Sequence, residues 1–204
     1  ESVYKVGDDL TDLVWIKDRA ASNHTLFDSV RGVFKYLSSN LSAPSTPDTY
    51  SLTNFLSNGF SVSYSTAVNT YNHNYIAWAW KKSPATDGVD IVSYTGTGAA
   101  QTINHSLGVT PKMIVIKRLE TTGDWAVYHV NQAATPQNNY LLLDSTAATG
   151  ADSTYWNNTA PTASSFTVGT NANVNNGTSL ALAWTQRTSA GSRSWKSITS
   201  SSDG

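Results

Sequence analysis

Four histidines, fourteen acidic side chains and no cysteine are what this 204-residue chain offers for catalysis or metal binding. His24, His73, His105 and His129 stand 49, 32 and 24 positions apart, so no HxH, HxxH or HExxH pair exists. They are expected at strand ends or facing solvent. The lack of cysteine removes thiolate metal sites, thiol nucleophiles and disulfides. No GxSxG elbow presents a serine nucleophile, and serine is too abundant for one to stand out. Asp8, Asp9 and Asp12, with Asp87 and Asp90, could offer oxygens to a hard cation such as calcium, but without EF-hand spacing they read as solvated turns. A glycosidase needs two carboxylates facing across a cleft. Asp28 and Asp144, each beside an apolar run, are candidates only by default. The expectation is a protein without catalytic residues, metal or cofactor, and not an enzyme.

The elements that would position any site come from an internal repeat. DLVWIKDR at 12–19 matches KMIVIKRL at 112–119, with Lys17 and Lys117 one hundred positions apart. FKYLSSN around Tyr36 answers NYLLLDS around Tyr140, SNGFSVSY with Phe60 answers SSFTVGT with Phe166, and NYIAWAWK with Trp80 answers SLALAWTQ with Trp184. The offset drifts only from 100 to 106. This order implies a duplication into units 1–84 and 85–186, joined through the Pro- and Gly-containing segment 81–90. The second unit opens with two strands around a glycine turn; the first has only ESVYKVGDDLT there, so its opening pair is shortened or lies upstream. Residues 187–204 are expected to be extended or loosely attached.

Short apolar runs bounded by Gly, Asn, Ser and Pro read as strands. Those expected are 13–17, 25–30, 34–38, 59–64, 74–81, 90–95, 101–104, 112–118, 125–130, 139–143, 165–169 and 179–185. Roughly a third of the residues are Ser, Thr or Asn, and glutamate occurs only at Glu1 and Glu120, a composition poor in helix formers. The fold class is therefore all-β, a tandem duplicated antiparallel β-sandwich.

Trp78 and Trp80 invite a sugar-stacking reading. Yet Ile76, Trp78 and Trp80 share a face whose counterparts are Leu180, Leu182 and Trp184, which fits a core. Tyr50 and Trp156 are expected to match each other as structural anchors. Tyr64, Tyr71, Asn72, His73 and Asn74 have no repeat counterpart: the first unit reads SYSTAVNTYNHNY where the second has GTNANVNNGTS. These five are the candidate ligand-binding residues, because polar loops with exposed rings suit recognition.

Thirteen Lys and Arg against fourteen Asp and Glu give a net charge of −1, with no basic surplus for nucleic acid or an anionic membrane. No window approaches the ~18 apolar residues of a membrane span, so no membrane insertion is expected. The opening ESVYKVGDD lacks a signal pattern and reads as cut from something longer.

The strings that carry the repeat, SYTGTG, HSLGVTPKMIVIKR, YLLLDST and SSFTVGTNANVNNGTSLALAW with LVWIKDR, LFDSVRG, KYLSSN, SLTNFLSNGFSV and YIAWAWK, resemble repeated domains in virion proteins of tailed bacteriophages. The resemblance covers about residues 12 to 186. It implies a sandwich of jelly-roll or concanavalin kind on the particle surface, in a tail-fibre-like structural protein serving host attachment. It carries over no catalytic residue. The partners it implies are other virion proteins, further copies in a homo-oligomer such as a trimer, and a host-surface glycan or receptor. Two alternatives stand beside adhesion: a purely architectural decoration or spacer, and a carbohydrate depolymerase using an acidic pair.

Overall fold

The computed structural model describes residues 2–5, 11–20, 22–83, 88–185 and, as backbone, 195–199. The chain forms two compact units, neither continuous in sequence. Unit 1 takes Glu1–Asn40, Ser45–Lys82 and Gly191–Gly204, and unit 2 takes Leu41–Pro44 and Ser83–Ala190.

In chain order the strands are β1 (Ser2–Lys5), β2 (Leu13–Asp18), β3 (His24–Asp28), β4 (Lys35–Tyr36), β5 (Thr46–Pro47), β6 (Leu52–Leu56), β7 (Gly59–Val62) and β8 (Asn74–Trp80). There follow β9 (Val89–Thr97), β10 (Gln101–Asn104), β11 (Met113–Arg118), β12 (Ala126–His129), β13 (Asn139–Leu142), β14 (Gly150–Ala151), β15 (Ser165–Val168), β16 (Asn176–Trp184) and β17 (Trp195–Thr199). All pairings are antiparallel.

The duplication is visible in the register. Unit 2 has the sheet order β9-β16-β11-β12-β13-β14. Unit 1 repeats it as β17-β8-β2-β3, continued by a Leu26–Leu37 bridge to the β4-β5 pair. Leu13 lies opposite Trp80 as Met113 lies opposite Trp184, and Tyr36 opposite Thr46 as Tyr140 opposite Gly150. The small facing sheet is β10-β15 in unit 2 and β1-β7-β6 in unit 1. Tyr4 pairs with Phe60 where Ile103 pairs with Phe166, so β1 is the counterpart of β10.

The counterpart of β9 comes from the far end of the sequence. Trp195 sits opposite Trp78 as Ile91 sits opposite Leu182, and Lys196 opposite Ala77 as Val92 opposite Ala181. Thus part of the segment expected to be extended or loosely attached is extended and supplies a sheet strand to unit 1; an unpaired edge of backbone N–H and C=O groups next to β8 is what recruits it.

Each unit is a sandwich with its own core. In unit 1, Val14, Ile16, Phe27, Tyr75 and Ala77 of the large sheet pack against Leu52, Phe60 and Val62 of the small one. In unit 2, Ile114, Ile116, Tyr128, Ala181 and Ala183 pack against Ile103, Phe166 and Val168, with Trp156 beside them. Strand β8 is therefore turned the other way from expectation, while in β16 Leu180 and Leu182 are buried as well as Ala181 and Ala183. Ala77 faces the inter-sheet core, whereas Trp78 and Trp80 lie half-buried on the opposite face. Small residues are required on the inner face because rings from the facing sheet and neighbouring strands already fill that layer to close-packed density.

The turn after β3 explains the string FDSVRG. Asp28 Oδ1 accepts the Arg31 N–H at 2.8 Å, and its carbonyl accepts the Gly32 N–H at 3.1 Å, with Gly32 at φ +83° where a side chain would be strained. Arg31 folds back so that Nε lies 2.5 Å from Asp28 Oδ2 and a terminal nitrogen reaches the Leu26 carbonyl at 3.0 Å.

Candidate functional site

The chemistry-bearing residues are mostly spent on structure. Asp28 is fully buried against Arg31, and Asp144 accepts the Trp125 N–H at 3.0 Å. Asp12 accepts the Ser29 hydroxyl and the Lys82 N–H, each at 2.8 Å, and buried Asp90 accepts the N–H and hydroxyl of Ser106 at 2.5 and 2.9 Å. Asp8, Asp9 and Asp87 lie outside the described residues. Among the described residues no three His, Asp or Glu side chains gather as a metal site.

The histidines serve separate local roles. Trp15 Nε1 donates to His24 Nδ1 at 2.8 Å; burial first, and the Lys17 charge second, hold the His24 pKa below its ordinary value. His105 stands at the end of β10, a strand-end position as expected, but is buried there: it is only 9% exposed, lies parallel to the Phe166 ring, and burial lowers its pKa. A strand-end position gives no sequence signal for such burial. His129 Nδ1 accepts the Asn131 N–H at 3.2 Å.

What remains exposed and unusual is aromatic. Tyr50 and Tyr64 stack with ring centroids 4.3 Å apart and planes 29° apart, at 50% and 67% exposure. The scaffold beneath them begins at Asp48. Its Oδ1 accepts the Tyr50 N–H at 2.9 Å and its Oδ2 accepts the Ser65 hydroxyl at 2.5 Å. Ser63 and Ser65 donate backbone N–H groups to the carbonyls of Ser51 and Tyr50 at 2.9 and 3.0 Å, locking the two loop segments together on either side of Tyr64.

Unit 2 has the same scaffold without the rings. Asp152 Oδ1 accepts the Thr154 N–H at 2.8 Å, and Gly169 and Asn171 donate to the carbonyls of Tyr155 and Thr154 at 2.8 and 3.0 Å. By this correspondence Tyr50 matches Thr154 and Tyr64 matches Thr170, while buried Trp156 matches buried Leu52. The expected equivalence of Tyr50 with Trp156 was thus two residues out of register, because TPDTYSLTNF and GADSTYWNNT align through Asp48 and Asp152 rather than through their aromatics. Since threonine serves in unit 2, the tyrosines are not needed to build the turn.

Beside the same loop lies a shallow polar cleft of about 190 Å³, lined by Ser22, Asn23, Thr25, Tyr36, Ser38, Thr66 and Ala67. Burial, with the nearby Asp48 charge second, raises the Tyr36 pKa, and a hydrogen bond that the Tyr64 hydroxyl donates to Tyr50 raises that of Tyr64. Both phenols therefore stay protonated at neutral pH.

The five sequence-derived candidates separate. Tyr64 joins the stacked pair. Tyr71, 76% exposed, and Asn72, at φ +60°, form a tip. His73 turns inward, its Nδ1 2.7 Å from Oδ2 of buried Asp18, and Asn74 begins β8. Tyr50 and the cleft were missed; Tyr50 was assigned to structure by the misaligned repeat, and Ser, Thr and Asn are too common here to mark a cleft.

A family model described as a domain of unknown function, DUF7483, matches residues 2–202. No curated protein and no solved structure matches the chain. The family match spans both sandwiches and the returning strand β17, and the chain belongs to the DUF7483 family of domains of unknown function.

Proposed function

We propose that this protein is a surface module of a tailed-bacteriophage virion, of the tail-fibre-like kind, that contacts host-surface glycans through the Tyr50–Tyr64 platform. The observation that carries the reading is asymmetry within a repeat: one scaffold, used twice, bears two stacked exposed tyrosines in one copy and threonines in the other. Large exposed rings cost solubility and gain nothing for the turn, so their place is explained by contact with a ligand. Tyrosine combines an apolar face for sugar C–H groups with a hydroxyl for hydrogen bonding, and few rotatable bonds are lost on contact. The hydroxyl- and amide-lined cleft next to it offers the directional partners a polyhydroxylated ligand needs.

The platform is small and open, so single contacts are weak. Display of many copies on a particle raises avidity by ~100-fold or more without any stronger site. The phage assignment rests on the sequence strings quoted above, and the adhesive role on the tyrosine pair. Glycan arrays and whole-cell binding, with the chain displayed multivalently on beads, test it. Binding that falls at least tenfold for Tyr64→Ala while the melting temperature holds supports the reading; equal binding by wild type and variant, or none by either, contradicts it.

A further inference from the structure

The two units differ at one further place, beside the tyrosine pair. The turns that follow β7 and β15 are alike: the Ala67 N–H donates to Ser65 Oγ at 3.3 Å as the Asn173 N–H donates to Asn171 Oδ1 at 2.9 Å. Val68 and Val174 donate to the carbonyls of Ser65 and Asn171, each at 3.1 Å. Ala67 therefore stands where Asn173 does. The Asp48 and Asp152 turns place Ser51 where Tyr155 is, each donating its N–H to the carbonyl of that Asp. Ile16 lies opposite Thr25 as Ile116 lies opposite Ala126, which places Asn23 where Asp124 is.

In unit 2 these three residues lock together. Asn173 Oδ1 accepts the Asp124 N–H at 3.2 Å, and its Nδ2 donates to Asp124 Oδ2 and to the Tyr155 hydroxyl, each at 3.3 Å. The Tyr155 ring stacks on Tyr140 with centroids 4.1 Å apart. In unit 1 the bridging carboxamide is replaced by the methyl of Ala67 and the stacking ring by Ser51. There the cleft of about 190 Å³ opens, with Ala67, Asn23 and Tyr36, the counterpart of Tyr140, in its wall. An open cleft forgoes the contacts that unit 2 obtains from the same frame. Both departures, exposed rings and missing bridge, fall on one loop of one unit.

Resting on the adhesive reading above, we infer that the cleft is a second sugar subsite beside the ring platform, and that the ligand is an uncharged oligosaccharide with one residue on the rings and the next in the cleft. Thr66 of the cleft is two residues from Tyr64, so at most about 7 Å of backbone separates the two. The cleft is smaller than the ~300–1,000 Å³ of pockets for drug-sized ligands, which suits one sugar ring rather than a chain. Hydroxyls of Thr25, Tyr36, Ser38 and Thr66 and the amide of Asn23 line it, a set that pairs with sugar hydroxyls as donor or acceptor. The Asp48 charge reaches Tyr36 and lies beneath Tyr50, so a carboxylate or sulfate on the ligand meets like charge. Lys17 alternates with the core residue Ile16 and leaves β2 on the other face, where its Nζ donates to the Ser22 and Asp18 carbonyls.

The test is NMR titration of the intact chain with neutral mono-, di- and trisaccharides of glucose, galactose and mannose, and with oligogalacturonides. The native chain is expected to bind a neutral disaccharide at least tenfold more tightly than its monosaccharide, and oligogalacturonides at least tenfold more weakly than galactose oligosaccharides. Ala67→Asn with Asn23→Asp rebuilds the unit 2 bridge and should remove the gain from mono- to disaccharide. Thr66→Val, at an exposed position, should reduce that gain with the melting temperature unchanged. A gain undiminished in both variants, no gain in the native chain, or oligogalacturonides bound as tightly as neutral sugars overturns the subsite and leaves the ring platform standing. Binding of no saccharide by the native chain overturns both.

Discussion

At the scale of single residues, the fate of Lys117 shows how the fold overrides ordinary chemistry. It is wholly buried, and its Nζ donates to the carbonyls of Ser42 and Arg118 at 3.1 and 3.0 Å, as Lys17 donates to Ser22 and Asp18 at 3.0 and 2.5 Å. Burial lowers its pKa from 10.5 to about 8, opposed by the Asp144 charge and reinforced by Arg118. A lysine whose pKa is lower in the folded state carries a proton there less readily than when unfolded, so stability rises as pH passes from about 8 to 10.5. Chemical denaturation across that window is expected to show wild type gaining up to ~3 kcal/mol relative to Lys117→Met, whose own profile lacks this component. The Asp28–Arg31 pair gives a second residue-scale expectation. Both side chains are almost completely buried, so Arg31→Ala strands a carboxylate and costs ~3–5 kcal/mol, while replacing both partners by apolar residues costs less. Urea unfolding of the single and double variants measures the difference.

At the scale of elements, strand alternation decides what tolerates change. Ala77 and Ala181 are fully buried on the inner faces of β8 and β16, so Ala181→Leu overpacks the core and destabilises by ~1–3 kcal/mol. Trp78→Leu, on the half-buried face, is expected to cost less; thermal unfolding of the two variants ranks them. Much of this architecture was legible in the sequence. Continuous apolar runs such as MIVIK and alternating ones such as LALAW marked β11 and β16, and the block order revealed the duplication. Which face of β8 points inward was not, since NYIAWAW alternates large and small on both possible readings and only the rings of Phe27 and Phe60 decide it. Nor was β17, because WKSIT has no periodicity of its own and is held by the backbone edge it completes. Of the candidate site, Tyr64 was legible from its missing counterpart. Tyr50 was not, because the register through Asp48 and Asp152 is fixed by side-chain hydrogen bonds rather than by residue likeness.

At the scale of the whole molecule, two sandwiches built to one plan have diverged in what they expose. The shared Asp turn predicts that the difference can be transplanted. Thr154→Tyr with Thr170→Tyr should place a second ring pair on unit 2 and raise the number of ligand sites per chain from one to two, read by titration calorimetry with a saturating oligosaccharide. The most direct test is saturation-transfer difference NMR on the intact chain with host-surface polysaccharide fragments. The account predicts transfer to sugar C–H protons that is lost in Tyr50→Ala and Tyr64→Ala and kept in Tyr71→Ala, with all variants folded. Transfer undiminished by removing either ring of the pair, or absent from the native chain with every fragment, would contradict it.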